Sequence, residues 1–516
     1  MLQGVDMSIA ATRLRIQTFV NRPDYTDFVA AIEGAGFATQ VLEEVTSIEF
    51  VDFSSLPILS SGRDSSDAAF ADAASLSPTQ ERLFANVAAY ILRHLPGIQE
   101  ISSSAWDISM DNRCLATYLV KEYSRQLRVW NVGLMDSGIV ASGIVASWPV
   151  FSNQLTVLQI ETRHLQLLSA ASVPVAQLQT LKLCQAEPFF SWKSFSSSNN
   201  GSKKNSSSNI SNSSSGNIGQ GDKGGILEFT SLTTLSIDFA KDNVANDMHR
   251  HDAMRSGKNL RVTMGTDTRR ILFPKLCTLS VRRVPYTYTD AWSMFLDSPL
   301  KSMYVAGKHA HVRYIDLRLL ANLNTLDIHL YLTERAQGRF TAFVKTMLTA
   351  ESMVQSAWLR HSGTFPVSVP DVLGWQNVRE LNVTAYVPPI TLLTLVSQMP
   401  RLSRLIVQRI ACDASETVLE ETTFVELGYL KPKYIGSSSV CELQLHMVGD
   451  GLHSSTLQSI CYMLLSMPRV HRLAVKHGYW PWIRKFGQMH LESNPGIAEI
   501  ELVHHISMQA KSAMNF

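Results

Sequence analysis

A six-residue segment, apolar at its first, fourth and sixth positions, recurs along nearly the whole chain. The clearest copies begin at Leu155, Leu178, Leu232, Leu276, Leu323, Val378, Leu402, Val440, Val470 and Ile497, and degenerate copies begin at Val45, Ile98, Leu127 and Leu300. Eight of the thirteen intervals between these starts are 23 to 30 residues, and three more are close to twice that. A weak copy at Val354 splits the 55-residue interval into 31 and 24. Successive side chains of a strand alternate in direction, so positions four and six bury together while three, five and seven face the other way. A chain of 516 residues has the length of three or four ordinary domains. A motif that returns at one period reads instead as an array whose units stack.

Between the segments the apolar spacing turns helical. Leu457, Ile460, Cys461, Leu464 and Leu465 follow the i, i+3, i+4, i+7, i+8 pattern; Leu392, Leu395, Val396 and Met399 follow it over a shorter span, and Val87, Ile91 and Leu95 form a similar stripe. Pro96, Pro274, Pro400, Pro468 and Pro495 each stand two residues before position one of a unit. Lacking an amide hydrogen, proline ends a helix just ahead of the next strand. The expected fold is therefore an α/β solenoid with a parallel sheet on its concave side and helices on its convex side.

The expected organisation follows. Residues 1–44 read as a short helical cap or a degenerate first unit, 45–190 as a first repeat block, 226–510 as a second block continuous with the first, and 511–516 as a tail. Residues 191–225 are dominated by Ser, Asn and Gly. Nothing there offsets the entropy of ordering, so this tract reads as a disordered insertion. Residues 241–270 form a second polar insertion, and 60–78 a polar loop.

Composition narrows the function. Forty-six basic residues against 44 acidic leave a net charge of +2, which supplies no general field for nucleic acid. No apolar run is long enough to span a bilayer, and the N-terminus lacks the pattern of a secretory signal. The six cysteines are scattered without a CxxC, which suits reduced thiols in the cytoplasm or nucleus. Phosphate-loop, dinucleotide, zinc-protease and serine-hydrolase motifs are missing. Asp136-Ser137-Gly138 has no second copy to share a proton with. The pairs His249/His251 (with Asp252), His309/His311 and His504/His505 fall short of a metal ligand set. The expectation is a non-catalytic protein without cofactor or metal.

The LxxLxL segment at this period resembles the leucine-rich repeat, over roughly residues 40–510. Long, variable βα units with a proline ahead of the strand look most like the irregular F-box/LRR proteins of fungal type and the ribonuclease-inhibitor-like folds. That resemblance implies a solenoid that recruits a protein substrate to an SCF-type ubiquitin ligase through a Skp-type adaptor and cullin. The alternatives are a regulator of a small GTPase and a general scaffold. The asparagine that common repeats carry at position nine is replaced here, for example by Arg163, Ala186, Tyr331, Val448 and Gly478, and residues 1–44 show no F-box.

Binding is expected on the concave face. The richest stretch of outward positions offers Arg282, Tyr304, Asp327, His329, Arg404, Gln408, Gln444, His446, Arg472 and Lys476. Arginine and tyrosine are favoured anchors in protein interfaces. Position five is polar in twelve of fourteen units, with Ile406 and Ala474 the exceptions, which predicts a solvated inner face. The Tyr479-Trp480-Pro481-Trp482 cluster reads either as a partner anchor or as a cap over the last repeats.

Overall fold

In a computed structural model the described residues are 6–10, 13–17, 44–51, 78–103, 110–132, 150–161, 174–186, 227–239, 271–284, 292, 294–308, 312, 315–331, 337–361, 373–410, 439–445, 454–475, 477–489 and 501–503. The chain divides into two compact units. The first comprises Met1–Ala240, Met248–Lys275 and Ser512–Phe516, and the second Lys241–Asp247 and Leu276–Lys511.

In the first unit β1 (Asp6–Ala10) and β2 (Arg13–Gln17) pair antiparallel. From β2 onward the pairing is parallel, through β3 (Ser47–Val51), β4 (Glu100–Ser103), β5 (Val129–Asn131), β6 (Val157–Glu161), β7 (Thr180–Ala186) and β9 (Thr234–Phe239). The short β8 (Leu227–Glu228) and β10 (Ile271–Leu272) pair with each other. The second unit is a parallel succession of β11 (Thr278–Val284), β12 (Ser302–Lys308), β13 (Thr325–Tyr331), β14 (Ser356–His361), β15 (Glu380–Val387), β16 (Arg404–Ile410), β17 (Glu442–Leu445), β18 (Arg472–Ala474) and β19 (Glu501–Val503). Each unit is an α/β stack of parallel strands of the leucine-rich-repeat type.

The register is the one that the motif demands. Position four of each segment lies opposite position four of the next: Ile48, Ile101, Trp130, Leu158, Leu181 and Leu235 in the first unit, and Leu279, Met303, Leu326, Ala357, Leu381, Leu405, Leu443 and Leu473 in the second. Every one of these is at most 1% exposed, which makes a continuous apolar seam in each unit. Two ends differ from the motif reading. At the C-terminal end Leu473 pairs with Leu502 rather than Ile500, a two-residue shift that keeps the inward parity. At the other end Leu14 and Ile16 take the register of Ile48 and Phe50, so a unit with alanine at position one (Ala11) precedes the first copy read from the sequence. The described part of residues 1–44 thus contributes two strands.

A backbone device repeats where the position-nine asparagine is missing. The carbonyl of position two accepts from both the second and third amides of the following unit. Thr46 accepts from Gln99 and Glu100 (2.7 and 3.1 Å), Lys301 from Asn324 and Thr325 (2.8 and 2.9 Å), and Arg379 from Ser403 and Arg404 (2.9 Å each). Both lone pairs of that oxygen are used, and the cost of burying it is met without any particular side chain. Where position two carries a hydroxyl or thiol it adds a third bond to the same carbonyl, as Thr156 does to Arg128 O (3.1 Å), Thr233 to Gln179 O (3.1 Å) and Cys441 to Ser403 O (3.3 Å). This explains why position two tolerates Thr, Gln, Arg, Lys, Asn, Ser, Cys and His.

What covers the seam differs from unit to unit. Among the described residues the interval from Leu155 holds the 3-10 turn Val175–Gln177, and that from Leu300 the 3-10 turn Leu317–Asn322. Other intervals hold α-helices: α1 (Pro78–His94), α2 (Met110–Tyr123), α3 (Gln337–Thr349), α4 (Pro389–Ser397) and α5 (Ser454–Ser466). The stripes seen in the sequence are buried: Leu457, Ile460, Cys461, Leu464 and Leu465 on α5, and Leu392, Leu395 and Val396 on α4 with Met399 just past its end. Burial pushes the Cys461 thiol well above its usual range, so it is a core side chain. α6 (Trp480–Met489) buries Trp480, Ile483 and Phe486, with Tyr479 buried just before it, and this favours the cap reading of the aromatic cluster. The C-terminal end of α3 is closed by the next loop, Gly374 N donating to Leu348 O (2.8 Å) and Trp375 Nε1 to Met347 O (3.0 Å). No described helix is long and apolar enough to cross a membrane.

Candidate functional site

The face carrying positions three, five and seven is organised in rows, because in-register parallel strands set equivalent side chains side by side about 4.8 Å apart. That spacing narrows the expectation of a solvated face at position five: Glu49, Asn131, Lys182, Ser280, Tyr304, Asp327 and Gln444 keep partial exposure, but others do not. Ser102, Gln159, Ser236 and Asn382 are only 9, 4, 5 and 6% exposed, and Ile406 is buried too. Neighbouring side chains of the same row screen them from water.

In the second unit the rows bring four of the expected residues together. Along position five Tyr304, Asp327, Trp358 and Asn382 are successive register partners, and along position seven so are Arg282, Ala306, His329 and Arg360. The Arg282 guanidinium stands over the Tyr304 ring, 5.4 Å from its centroid. A bulge in β11 at this point puts Arg283 at φ 55, a left-handed conformation that side-chain-bearing residues avoid, and the extra residue shifts the pairing from Arg282 to Val284. One strand further, Arg360 Nη2 donates to Asp327 Oδ2 at 2.9 Å while the same guanidinium lies 4.5 Å from the Trp358 ring centroid. Trp358 and Arg360 were missed in the sequence because Val354-Gln-Ser-Ala357 is a weak copy of the motif, with alanine where leucine is usual.

The electrostatics of this strip are set by burial. Burial raises the Asp327 carboxyl to about 6, against the opposing pull of the Arg360 charge and hydrogen bond. Burial also lowers the His329 imidazole, and Arg360 lowers it further. At neutral pH His329 is therefore uncharged and Asp327 ionised. Two oxygens, Asp327 Oδ1 and Asn382 Oδ1, are closed off from water and accept no hydrogen bond in the structure. Leaving such an acceptor unmade costs about 1–3 kcal/mol.

A different arrangement occupies position three. Arg404 bonds both Glu380 (3.4 Å) and Glu442 (3.2 Å), and Arg472 lies 3.7 Å from Glu442, making a ladder of alternating charge across β15 to β18. Gln444 Nε2 also donates to Glu442 (2.6 Å). Arg404, Arg472 and Gln444 are thus engaged within the chain. Gln408 is half-buried on β16. His446 and Lys476 lie outside the described residues, as do Asp136, all three histidine pairs and residues 191–225. Among the described residues no group of His, Cys, Asp and Glu could hold a metal ion.

No protein-family model matches the chain, and no curated protein matches it.

Proposed function

We propose that the chain is a non-catalytic protein-binding scaffold whose partner seats on the open face of the second unit. The observation that supports this most is the pair of stacked arginines, Arg282 on Tyr304 and Arg360 on Trp358, whose rings stand on the two strands that flank Asp327. Trp, Tyr and Arg dominate the energetics of protein interfaces, and stacking fixes their rotamers before the partner arrives. The test is affinity purification of the full chain, with mass spectrometry, for wild type, Trp358→Ala and Tyr304→Ala. The expected result is loss of a specific protein in both variants while the thermal melt stays cooperative. Retention of every co-purifying protein would remove this face as the binding surface.

For the assembly in which such a scaffold works we propose the substrate-recognition role of an SCF-type ubiquitin ligase, on the strength of the irregular βα form of the repeats. A Skp-type adaptor and a cullin should then appear in the same purification. Their absence, with the other partner retained, leaves a scaffold without a ubiquitin link; a small GTPase in their place favours the regulator reading.

A further inference from the structure

Resting on that reading, we infer that the strip Asp327–Trp358–Asn382 receives a basic side chain, lysine or arginine, of an extended segment of the partner. Asp327 and Asn382 flank Trp358 on adjacent strands, each in direct register with it. Asn382 is 94% buried, and its Oδ1 and the Oδ1 of Asp327 accept no hydrogen bond. Two orphaned acceptors call for a donor, and the ring between them already holds one guanidinium, that of Arg360, as such a ring can. Asp327 and Arg360 balance each other within the strip, and the ladder of Glu380, Arg404, Glu442 and Arg472 beside it is balanced as well, so the orphaned oxygens rather than a net charge define the seat. Arg360 occupies only Oδ2 of Asp327, and its pull is too weak to offset burial of that carboxyl. A second cation on Oδ1 supplies what Arg360 lacks. The half-buried Trp358 and Arg360 must shift for it to enter, since both orphaned oxygens are closed off in the free chain.

The seat should depend on pH. The titratable or charged groups facing Asp327 are Tyr304 on β12, Arg360 on β14 and His329 on its own strand. The Asp327 carboxyl has its midpoint at about 6, so the seat is ionised and receptive above that value. At one pH unit below the midpoint, only about a tenth of a carboxyl is ionised.

The experiment uses the full chain and a positional-scanning library of nonapeptides as probe, with affinities of selected peptides measured by fluorescence anisotropy. The inference expects enrichment of Lys or Arg at one position. Replacing that residue by norleucine should weaken binding about tenfold or more, and Asp327→Asn and Asn382→Leu should do the same. Binding should also fall by about tenfold from pH 7 to pH 5. Asn131→Leu, which removes an orphaned acceptor of the first unit, should change nothing. Thermal melts check folding; Asn382→Leu should melt no lower than wild type. Peptides selected without a basic preference yet lost on Trp358→Ala would overturn the inference and leave the open-face reading intact. Failure to retain any peptide, or basic peptides indifferent to both Asp327→Asn and Asn382→Leu, overturns it too, while the purification described above judges the scaffold reading separately.

Discussion

The two units share one construction and differ in what they display. Position four is sealed in both, and the same doubly accepting carbonyl at position two links one strand to the next in both. Their open faces diverge. Along position five the first unit shows Glu49, Ser102, Asn131, Gln159, Lys182 and Ser236, a polar row without an aromatic ring, with Ser102, Gln159 and Ser236 buried. The second shows Tyr304, Asp327 and Trp358 with two stacked arginines beside them, then a charge ladder. The difference teaches that stacking is specified by positions one, four and six plus the backbone, which leaves three, five and seven free to carry an interface.

The largest effect should be the same in both units. Leu181→Ala and Leu405→Ala each empty a fully buried seam position, and each should cost about 2–5 kcal/mol in chemical denaturation. A loss confined to one unit would break the claim of a shared construction. A sharper version concerns the second unit alone. A methyl placed on Gly374 would stand 2.1 Å from the carbonyl oxygen of Ala350 and 2.8 Å from the amide nitrogen of Glu351. Both are backbone atoms that cannot rotate away, so Gly374→Ala should destabilise by about 1–3 kcal/mol, visible as a lower melting temperature.

How far the sequence reaches is clear from such residues. Leu181, Leu235 and Leu405 were legible because a period-two strand that buries one side must be apolar at fixed positions. The helix stripes on α4 and α5 were legible for the analogous reason. The unit at Leu14 was not, since Ala11 stands at its first position and no interval flagged it. The candidate site was half legible. Parity gave Tyr304, Asp327 and Arg282, but the partner of Asp327 sits on the weakest copy, and no parity rule says that Arg404 and Arg472 will be consumed by Glu380 and Glu442. Cross-strand pairing depends on which distant residue arrives next door, and sequence order does not carry that.

The next effect belongs to Asp327 and distinguishes the faces by pH. Its carboxyl titrates near 3.8 when unfolded and about 6 when folded. A raised folded value means that folding favours the protonated acid. The resulting stability is fully present below about pH 4 and is lost as pH climbs through 6. His329 runs the other way: its lowered value favours the neutral ring, so its contribution holds above its unfolded midpoint and fades as pH falls through the folded one. Asp327→Asn should therefore leave the His329 slope and remove the other. Wild type minus variant should shift by on the order of 1 kcal/mol between pH 4 and pH 7, in favour of wild type at the acid end. A flat difference would mean that the strip is open to water, like an ordinary solvated face.

The smallest effect should come from the charge ladder, whose smallness is itself informative. Arg404 is 40% exposed, and its partners Glu380 and Glu442 are 28 and 23% exposed, so water and salt screen both pairs. Arg404→Gln keeps the length of the side chain and a hydrogen-bond donor while removing the charge between two carboxylates. Glu442 keeps Arg472 at 3.7 Å, so only Glu380 loses its cation outright. The expected cost is about 0.5–1 kcal/mol at low ionic strength, shrinking toward zero in molar salt. Denaturation at the two salt concentrations decides it. If the cost instead approached that of Leu405→Ala, one residue along the same strand, position three would belong to the seam's work, and the division between residues that stack the chain and residues that face a partner would fail on β16.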